Sequence, residues 1–192
     1  STVTGNITLK AYFGNAYNVE SSHLTSQATN IPNQKIIQNG KITSVNAPVD
    51  PSGTNRTFAG WFESADSTSV IDTTTYSITK DTKLYAAYNN IVEFMADAKT
   101  FVASQSVVTN NKVTAISAPS DPKGLGRKFL GWATKSDAEK DDVINLTGFA
   151  ITKNTKLYAT FETHAHKICG IASDSVCMHT LTDSHSGVID YT

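Results

Sequence analysis

The chain lacks most of the features that would assign it at once to a class of protein. Its 192 residues include only two cysteines and two tryptophans, and no apolar run approaches the ~20 residues that a membrane-spanning helix needs. We find no glycine-rich phosphate loop, zinc-protease helix or nucleophile elbow. These absences point away from a membrane protein and from the commonest enzyme families.

The chain also lacks an excess of charge of either sign. Sixteen basic residues oppose seventeen acidic ones, so the formal net charge is −1, and the lysines are dispersed along the chain. Binding to nucleic acid or to an anionic membrane depends on a concentrated basic face. We therefore expect neither as a partner.

What the chain does have is one pattern that occurs three times. It consists of a β-branched aliphatic residue, a Thr, a short polar turn and then Leu-x-Ala-x-aromatic. The copies start at residues 3, 78 and 151, so they are 75 and 73 residues apart. Leu84, Ala86 and Tyr88 would share one face of a strand, because side chains alternate along it. A repeat of this length is a whole small domain.

The spacing predicts two tandem domains, at residues 14–88 and 89–162, each near the lower size limit for a stable core. Residues 1–13 match the end of a repeat, so we interpret them as the end of a preceding truncated repeat. No basic-then-apolar leader is seen, and we interpret the chain as a piece excised from a longer exported protein. Residues 163–192 form a separate Cys/His-rich tail segment.

Each repeat shows the same order of local signals. In the first, an opening strand is expected at residues 16–20 and a hairpin around Asn39-Gly40, because both residues tolerate positive φ. A proline break follows at residues 48–51, and Phe-Ala-Gly-Trp-Phe at 58–62 is expected to be a central strand. The second repeat has equivalent segments at residues 91–94, 105–113, 119–122, 129–132 and 157–161. There Asn111 replaces Gly40 as the turn residue that tolerates a left-handed backbone.

This ordered set resembles the Listeria–Bacteroides repeat, the module also found as the internalin B repeat. The most specific parts are Phe-x-Gly-Trp at residues 58–61 and 129–132, each followed by Thr-x-Leu-Tyr-Ala. The resemblance implies an α+β, mostly β fold: two tandem small β-grasp-like domains, each a mixed sheet with a short helix packed across it. Departures are Ser21 where the second repeat has Phe94, and Ala133 where the first has Phe62.

Three residue sets within this framework invite a chemical interpretation. Trp61 and Trp132 could stack on sugars, but large aromatics in such strands are usually buried in the core. The acidic stretch at residues 137–142 lacks the glycine and the distal glutamate of a calcium loop, so we interpret it as a solvated loop. Asp183-Ser184-His185 has the residue types of a catalytic triad, yet sequence neighbours seldom converge on one substrate.

The tail segment gathers both cysteines and four of the five histidines. Thiolate and imidazole are the ligands that zinc prefers, and His166, Cys169, Cys177 and His179 could supply a closed structural site. A disulfide between Cys169 and Cys177 is the alternative in an oxidising compartment, and free thiols in a flexible tail are the third. The residues leave these three alternatives open.

The resemblance implies a non-catalytic module of an extracellular bacterial surface protein, acting as a spacer and weak adhesion surface. An accessory carbohydrate- or host-binding appendage of an extracellular enzyme is the alternative hypothesis. We expect a monomer whose partners are other domains of the same protein and a host protein or glycan. A cell-wall sorting signal in the flanking sequence would favour the first hypothesis, and a hydrolase domain the second.

Overall fold

We describe the fold from a computed structural model of the chain. It describes residues 5–6, 8, 10–11, 13–24, 31–42 and 47–163, together with the backbone of four short strands after residue 163. The chain divides into two compact units, Ser1–Asn89 and Asn90–Thr192. Each unit is described below by itself.

The first unit is built on a mixed sheet of four strands. These are β1 (Ala16–His23), β2 (Gln34–Ile37), β3 (Thr57–Phe62) and the first part of β4 (Thr82–Met95). The spatial order is β2-β1-β4-β3, in which β1 and β4 are parallel and the two outer strands are antiparallel to their neighbours. The opening and closing strands of the repeat therefore lie side by side at the centre of its sheet.

The second unit repeats this arrangement. The last part of β4 opens it and pairs with β5 (Phe101–Val108) and, in parallel, with β7 (Thr155–Phe161). The remaining strand, β6 (Phe129–Ala133), is antiparallel to β7. β4 thus ends one repeat and begins the next without a linker between them, because all 14 of its residues are extended.

The described backbone after residue 163 forms two short antiparallel pairs. In the first pair, β8 (Ala165–His166) lies beside β9 (Ile171–Ala172). In the second, β10 (Thr182–Ser184) lies beside β11 (Val188–Asp190).

Each unit has its own apolar core on one face of its sheet. Val19, Leu84 and Trp61 lie at the centre of the first, together with Ile36, Ile78, Ala86 and Tyr88. The second contains Val92, Phe94, Val107, Val113, Trp132, Ile151 and Leu157. The Leu-x-Ala-x-aromatic pattern places its alternate residues into these cores, as period-two alternation requires.

The mostly β fold that the sequence predicted is confirmed. Within residues 90–163, all of which are described, the helical segment is a 3-10 turn at Lys140–Asp142 with no buried residue. A helix packed across the sheet, as the β-grasp resemblance implies, is therefore not seen in that stretch.

The predicted Asn39-Gly40 hairpin is wrong, although the turn exists. Gly40 N donates to Ile37 O and Asn39 has φ of 63°, which places the positive φ at the third turn position. Hairpin turns of the primed types need it at the second. The turn is instead hydrogen-bonded to the segment before β4: Asn39 N donates to Ile78 O, and Ile78 N donates to Gly40 O.

The second repeat makes the same turn, which corrects the interpretation of Asn111. Asn110, not Asn111, has the positive φ, at 68°. Asn110 N donates to Ile151 O and Ile151 N donates to Asn111 O, both at 2.8 Å. Asn111 is therefore equivalent to Gly40 in position, but the left-handed residue is the asparagine before it.

The prediction that residues 58–62 form a central strand is also wrong. Among the described strands, β3 pairs only with β4, and it lies at one side of its sheet. Trp61 and Phe62, which point to opposite faces of the strand, are both buried. The following loop runs along the edge of β3, where Ile71 N donates to Trp61 O. Gly60 sits in a β-bulge with φ of 144°, and a Cβ there would lie 3.0 Å from Val70 side-chain atoms.

Candidate functional site

The two tryptophans lie in the cores. Trp61 is 5% exposed and Trp132 is 3% exposed. Phe58 packs edge-on against Trp61 at 5.2 Å between ring centroids, and Phe129 packs against Trp132 in the same way at 5.3 Å. Core packing of the indoles is confirmed, so neither ring presents a face on which a sugar could stack.

The acidic stretch at residues 137–142 makes local bonds. The Asp142 carboxylate accepts a hydrogen bond from Glu139 N at 2.9 Å and pairs with Lys135 Nζ at 3.0 Å. The Lys135 side chain of this ion pair is about half exposed and the Asp142 side chain about a third. Across the part of the chain that the structure describes, no three His, Cys, Asp or Glu side chains are gathered as a metal site would require.

The first repeat contains a buried ion pair that the sequence analysis did not identify. Arg56 donates to the Asp50 carboxylate from Nε at 3.0 Å and from Nη2 at 2.7 Å, and both side chains are less than a tenth exposed. Backbone amides of Ser52 and Arg56 also donate to Asp50. The loop between β2 and β3 therefore folds around this carboxylate, which accepts hydrogen bonds from several of its residues.

An equivalent pair occurs in the second repeat. Arg127 Nη2 lies 2.7 Å from Asp121 Oδ1, and the backbone amides of Lys123, Leu125 and Arg127 donate to the same carboxylate. Each guanidinium also lies over the aromatic residue of the closing strand, Tyr88 at 4.9 Å and Phe161 at 5.1 Å. Such cation–π contacts add to the ion pair when the groups are desolvated.

These carboxylates are unsuited to acid or base catalysis. Burial would raise the pKa of Asp50, but hydrogen bonds from Arg56 and Ser52 outweigh it and hold the pKa well below its usual range. The same balance, with Arg127 and the Lys123 amide as donors, holds the pKa of Asp121 well below its usual range. A general base needs a pKa near the working pH, so these groups act as structural anions.

A second polar cluster is present in the first repeat alone. The Tyr88 hydroxyl lies 2.9 Å from His23 Nδ1 and 3.2 Å from Val49 O. Burial, together with the charge on Asp50, raises the pKa of Tyr88 to about 12. Burial also lowers the pKa of His23; the charge on Arg56 lowers it further, and the charge on Asp50 acts in the opposite direction. Phe161 occupies the position of Tyr88 in the second repeat, so the cluster is not a shared site.

The residues proposed for the tail fall outside this description. Cys169, Cys177 and His179 are not among the described residues, and for His166 only the backbone in β8 is described. For Asp183 and Ser184 the backbone of β10 is likewise all that is described, and His185 lies outside it. The zinc site and the disulfide both stay predictions.

The sequence did contain a signal for the buried pairs. Asp-Pro-x-Gly-x-x-Arg occurs at residues 50–56 and again at 121–127. Gly53 and Asn55 have positive φ in the first copy, and Gly124 and Gly126 in the second. The prolines of this motif indicate only a strand break, whereas the shared Asp and Arg are the more informative residues.

Fold and site together define a tandem array of small mostly β modules whose strongest polar contacts are internal. The family model for the Listeria-Bacteroides repeat domain matches the chain twice, at residues 25–87 and 91–160. These matches cover more than half of the chain, which therefore belongs to this family. Neither the curated proteins nor the solved structures include a match.

The family assignment carries general information about function. Its repeats are typical of bacterial surface proteins and are generally non-catalytic. In the described part of the chain, no helix is long and apolar enough to cross a bilayer.

Proposed function

We propose that the chain is a non-catalytic tandem repeat module of an extracellular bacterial surface protein, where it serves as a spacer and a weak adhesion surface. The observation that carries this proposal is the repetition itself: the same sheet arrangement, core and buried Asp–Arg pair occur once in each repeat, and the family model matches both repeats. The carboxylate of each pair is a structural anion and not a catalytic group. Its occurrence in both repeats therefore favours a structural module over an enzyme.

The junction between the repeats supports the spacer role. The chain passes from residue 82 to residue 95 within one strand, so the end of one module is the start of the next. A module of this kind can be added to an array without a designed linker. Where single contacts are weak, arrays of them raise avidity.

The domain limits that follow from the repeat, residues 14–88 and 89–162, belong to the same proposal. A β-grasp relationship is supported by the parallel pairing of the first and last strands in each mixed sheet. The alternative function, a carbohydrate-binding appendage of an enzyme, has lost its stacking candidates, because both indoles are buried.

The location is tested on intact cells. In the bacterium that carries the parent gene, an antibody raised against the purified chain should label unpermeabilised cells, and external protease should remove the label. Labelling that appears only after permeabilisation would contradict the proposal. Flanking sequence with a hydrolase domain in place of a surface-attachment signal would favour the appendage.

The tail segment is tested separately. We propose that His166, Cys169, Cys177 and His179 hold a structural zinc ion, with a Cys169–Cys177 disulfide as the alternative. Element analysis of the purified chain should find one zinc per chain, and His166→Ala together with His179→Ala should abolish it. Absence of zinc combined with absence of free thiol would establish the disulfide instead.

A further inference from the structure

The strands that begin and end each repeat pair directly with each other, and they run parallel. In the first repeat, β1 pairs in parallel with β4 over five residue pairs, from Val19 opposite Thr82 to His23 opposite Ala86. In the second, β4 pairs in parallel with β7 over four pairs, from Val92 opposite Thr155 to Met95 opposite Tyr158. In both repeats, the two strands where chain tension enters and leaves are thus direct neighbours.

This pairing decides how tension acts on each repeat. In a parallel pair, the start of the first strand and the end of the second lie at opposite ends of the ladder. A pull on the chain therefore slides the strands past each other and loads all the evenly spaced hydrogen bonds together. In an antiparallel pair pulled from one end, the bonds break one after another.

Both repeats reinforce the parallel pair in the same way. Asn18 N donates to Asp81 Oδ1 and Ile91 N donates to Asn154 Oδ1, each at 2.8 Å, which extends each ladder by a side-chain bond. Directly opposed charges also bridge the strands on the exposed face. These pairs are Glu20 with Lys83 at 3.1 Å and Glu93 with Lys156 at 2.9 Å.

The opposite face of each pair is sealed by core side chains. Val19 and Leu84 are buried beneath the first ladder, and Val92 and Leu157 beneath the second. Water therefore reaches the ladder bonds from the outer face only. Sliding would expose this apolar surface at the same moment as it breaks the bonds, which raises the barrier to forced unfolding.

We propose that the parallel pair of first and last strands is a force-bearing clamp, so that the array transmits tension along the chain without unfolding. This inference rests on the proposed spacer function, since a spacer on a cell surface lies between the cell and whatever the protein holds. It adds mechanical resistance as a property under selection. Resistance to force is set by the unfolding rate and not by equilibrium stability.

Single-molecule stretching of the full chain through its two ends tests the clamp. We expect two unfolding steps, each adding roughly 25 nm, which is the length of about 74 extended residues at ~3.6 Å each less the folded span. The decisive comparison moves one handle from the N-terminus to an azide-bearing residue at exposed position 57, at the start of β3. Thr57 lies opposite Asn89 in the antiparallel β3–β4 pair, so this attachment unzips the first repeat.

With the handle at position 57, the first repeat should unfold at less than half the force measured through the chain ends. The second repeat, whose attachment geometry is unchanged, is the internal standard. Equal forces for the first repeat in the two geometries would overturn the clamp. An unchanged urea midpoint of the labelled chain verifies that the handle leaves the fold intact.

A pair of variants locates the clamp independently of handles. Asp81→Ala should speed forced unfolding of the first repeat about tenfold, the effect of one charge-assisted hydrogen bond. Asp72→Ala is the matched control, because Asp72 accepts bonds from Thr74 in a loop outside the pair. Equal effects of the two variants would overturn the proposal.

The clamp and the spacer function can fail separately. Equal forces in the two geometries would remove the clamp while leaving a surface-labelled spacer. Failure to label intact cells would remove the surface role while leaving the mechanical result on the purified chain.

Discussion

At the scale of single residues, the two buried Asp–Arg pairs have the largest consequences. Removing one partner of a buried pair leaves an uncompensated charge, which is far costlier than losing a surface ion pair. The other ion pairs of the described residues have side chains that are about a third to three quarters exposed. Asp50 and Asp121 are therefore the carboxylates whose loss should matter most.

Asp50→Asn is expected to lower the free energy of unfolding of the first repeat by about 3 kcal/mol, because Arg56 stays buried without its counter-charge. Urea unfolding followed by Trp61 fluorescence in a Trp132→Phe background measures this. Asp66→Asn is the control, since the exposed Asp66 carboxylate makes local hydrogen bonds, to the Ser64 hydroxyl and a backbone amide, and faces no buried arginine, so its midpoint should not move. A loss below about 1 kcal/mol for Asp50→Asn would place the pair among ordinary surface pairs.

The same pairs predict acid sensitivity. The folded-state pKa values of Asp50 and Asp121 lie below the ordinary value of about 3.9. The unfolded chain then binds more protons as the solution is acidified, so stability is full at neutral pH and declines as pH falls below about 5. Urea midpoints measured from pH 7 to pH 2 should fall accordingly. The Asp50→Asn, Asp121→Asn double variant should show a flatter profile, and an unchanged slope would contradict this origin.

Thr160 is a position where a substitution should stabilise the fold. Its hydroxyl is buried and has no hydrogen-bond partner among the described residues, whereas the equivalent residue of the first repeat is Ala87. Thr160→Val keeps the volume and removes the unsatisfied group, which should stabilise the second repeat by about 1 kcal/mol. Thr109→Val is the matched control and should destabilise it, since the Thr109 hydroxyl accepts a bond from Asn90 Nδ2. Heat denaturation compares the two, and stabilisation by both would refute the argument.

At the scale of elements, the β-bulge of the Phe-x-Gly-Trp strand is the least replaceable feature. Gly131 has φ of 150°, and a Cβ there would clash with Val143 Cγ1. Gly131→Ala combines backbone strain with overpacking and should cost the second repeat about 3 kcal/mol. Gly148→Ala is the control, because its Cβ would meet only ordinary contacts at 3.6 Å and its φ is not positive. Similar urea midpoints for the two variants would show that the bulge tolerates a side chain.

One departure between the repeats, Ala133 where the first repeat has Phe62, is explained by rows of opposed side chains. Ser22, Tyr85 and Phe62 lie opposite one another across β1, β4 and β3. Met95, Tyr158 and Ala133 form the equivalent row of the second repeat. A small and a large residue flank the tyrosine in each row, with their positions exchanged. Ala133 in place of an aromatic is thus accompanied by Met95, which is 6% exposed.

Sequence reasoning succeeded where a pattern was local to one strand. Alternation placed Leu84 and Leu157 in the cores, and the aromatic character of Trp61 and Trp132 placed them there too. It failed to predict which strands pair with each other. Gln34–Ile37 pairs with β1 and not with the residues after Asn39-Gly40, because register depends on which strand closes the sheet and not on the turn alone.

Side-chain bonds between distant residues were also beyond the sequence. Gln105 accepts from Thr114 N through Oε1 and donates to Thr114 O through Nε2, which mimics a strand pair across nine residues. The sequence marks Gln105 as part of a shared motif but does not name its partner. The Asp121–Arg127 pair was accessible in principle, since its six-residue spacing recurs in both repeats.

At the scale of the whole molecule, the main feature is that the chain holds two copies of one module. Equivalent strand residues are 73 positions apart: Val19 and Val92, Leu84 and Leu157. The period was visible in the sequence because each copy retains the closing pattern. The chemistry of the tail was not, because its cysteines and histidines fit a zinc site, a disulfide or free thiols, and the chain holds no second copy of the tail for comparison.

Residue-resolved amide hydrogen exchange distinguishes two copies of one fold from a single core. We expect two matching sets of slowly exchanging amides, one along residues 82–88 and one along residues 155–161, with Asn39 and Asn110 protected through Ile78 and Ile151. A single protected set, or protection of residues 34–42 as a hairpin with the Asn39 amide exchanging freely, would contradict the duplicated fold.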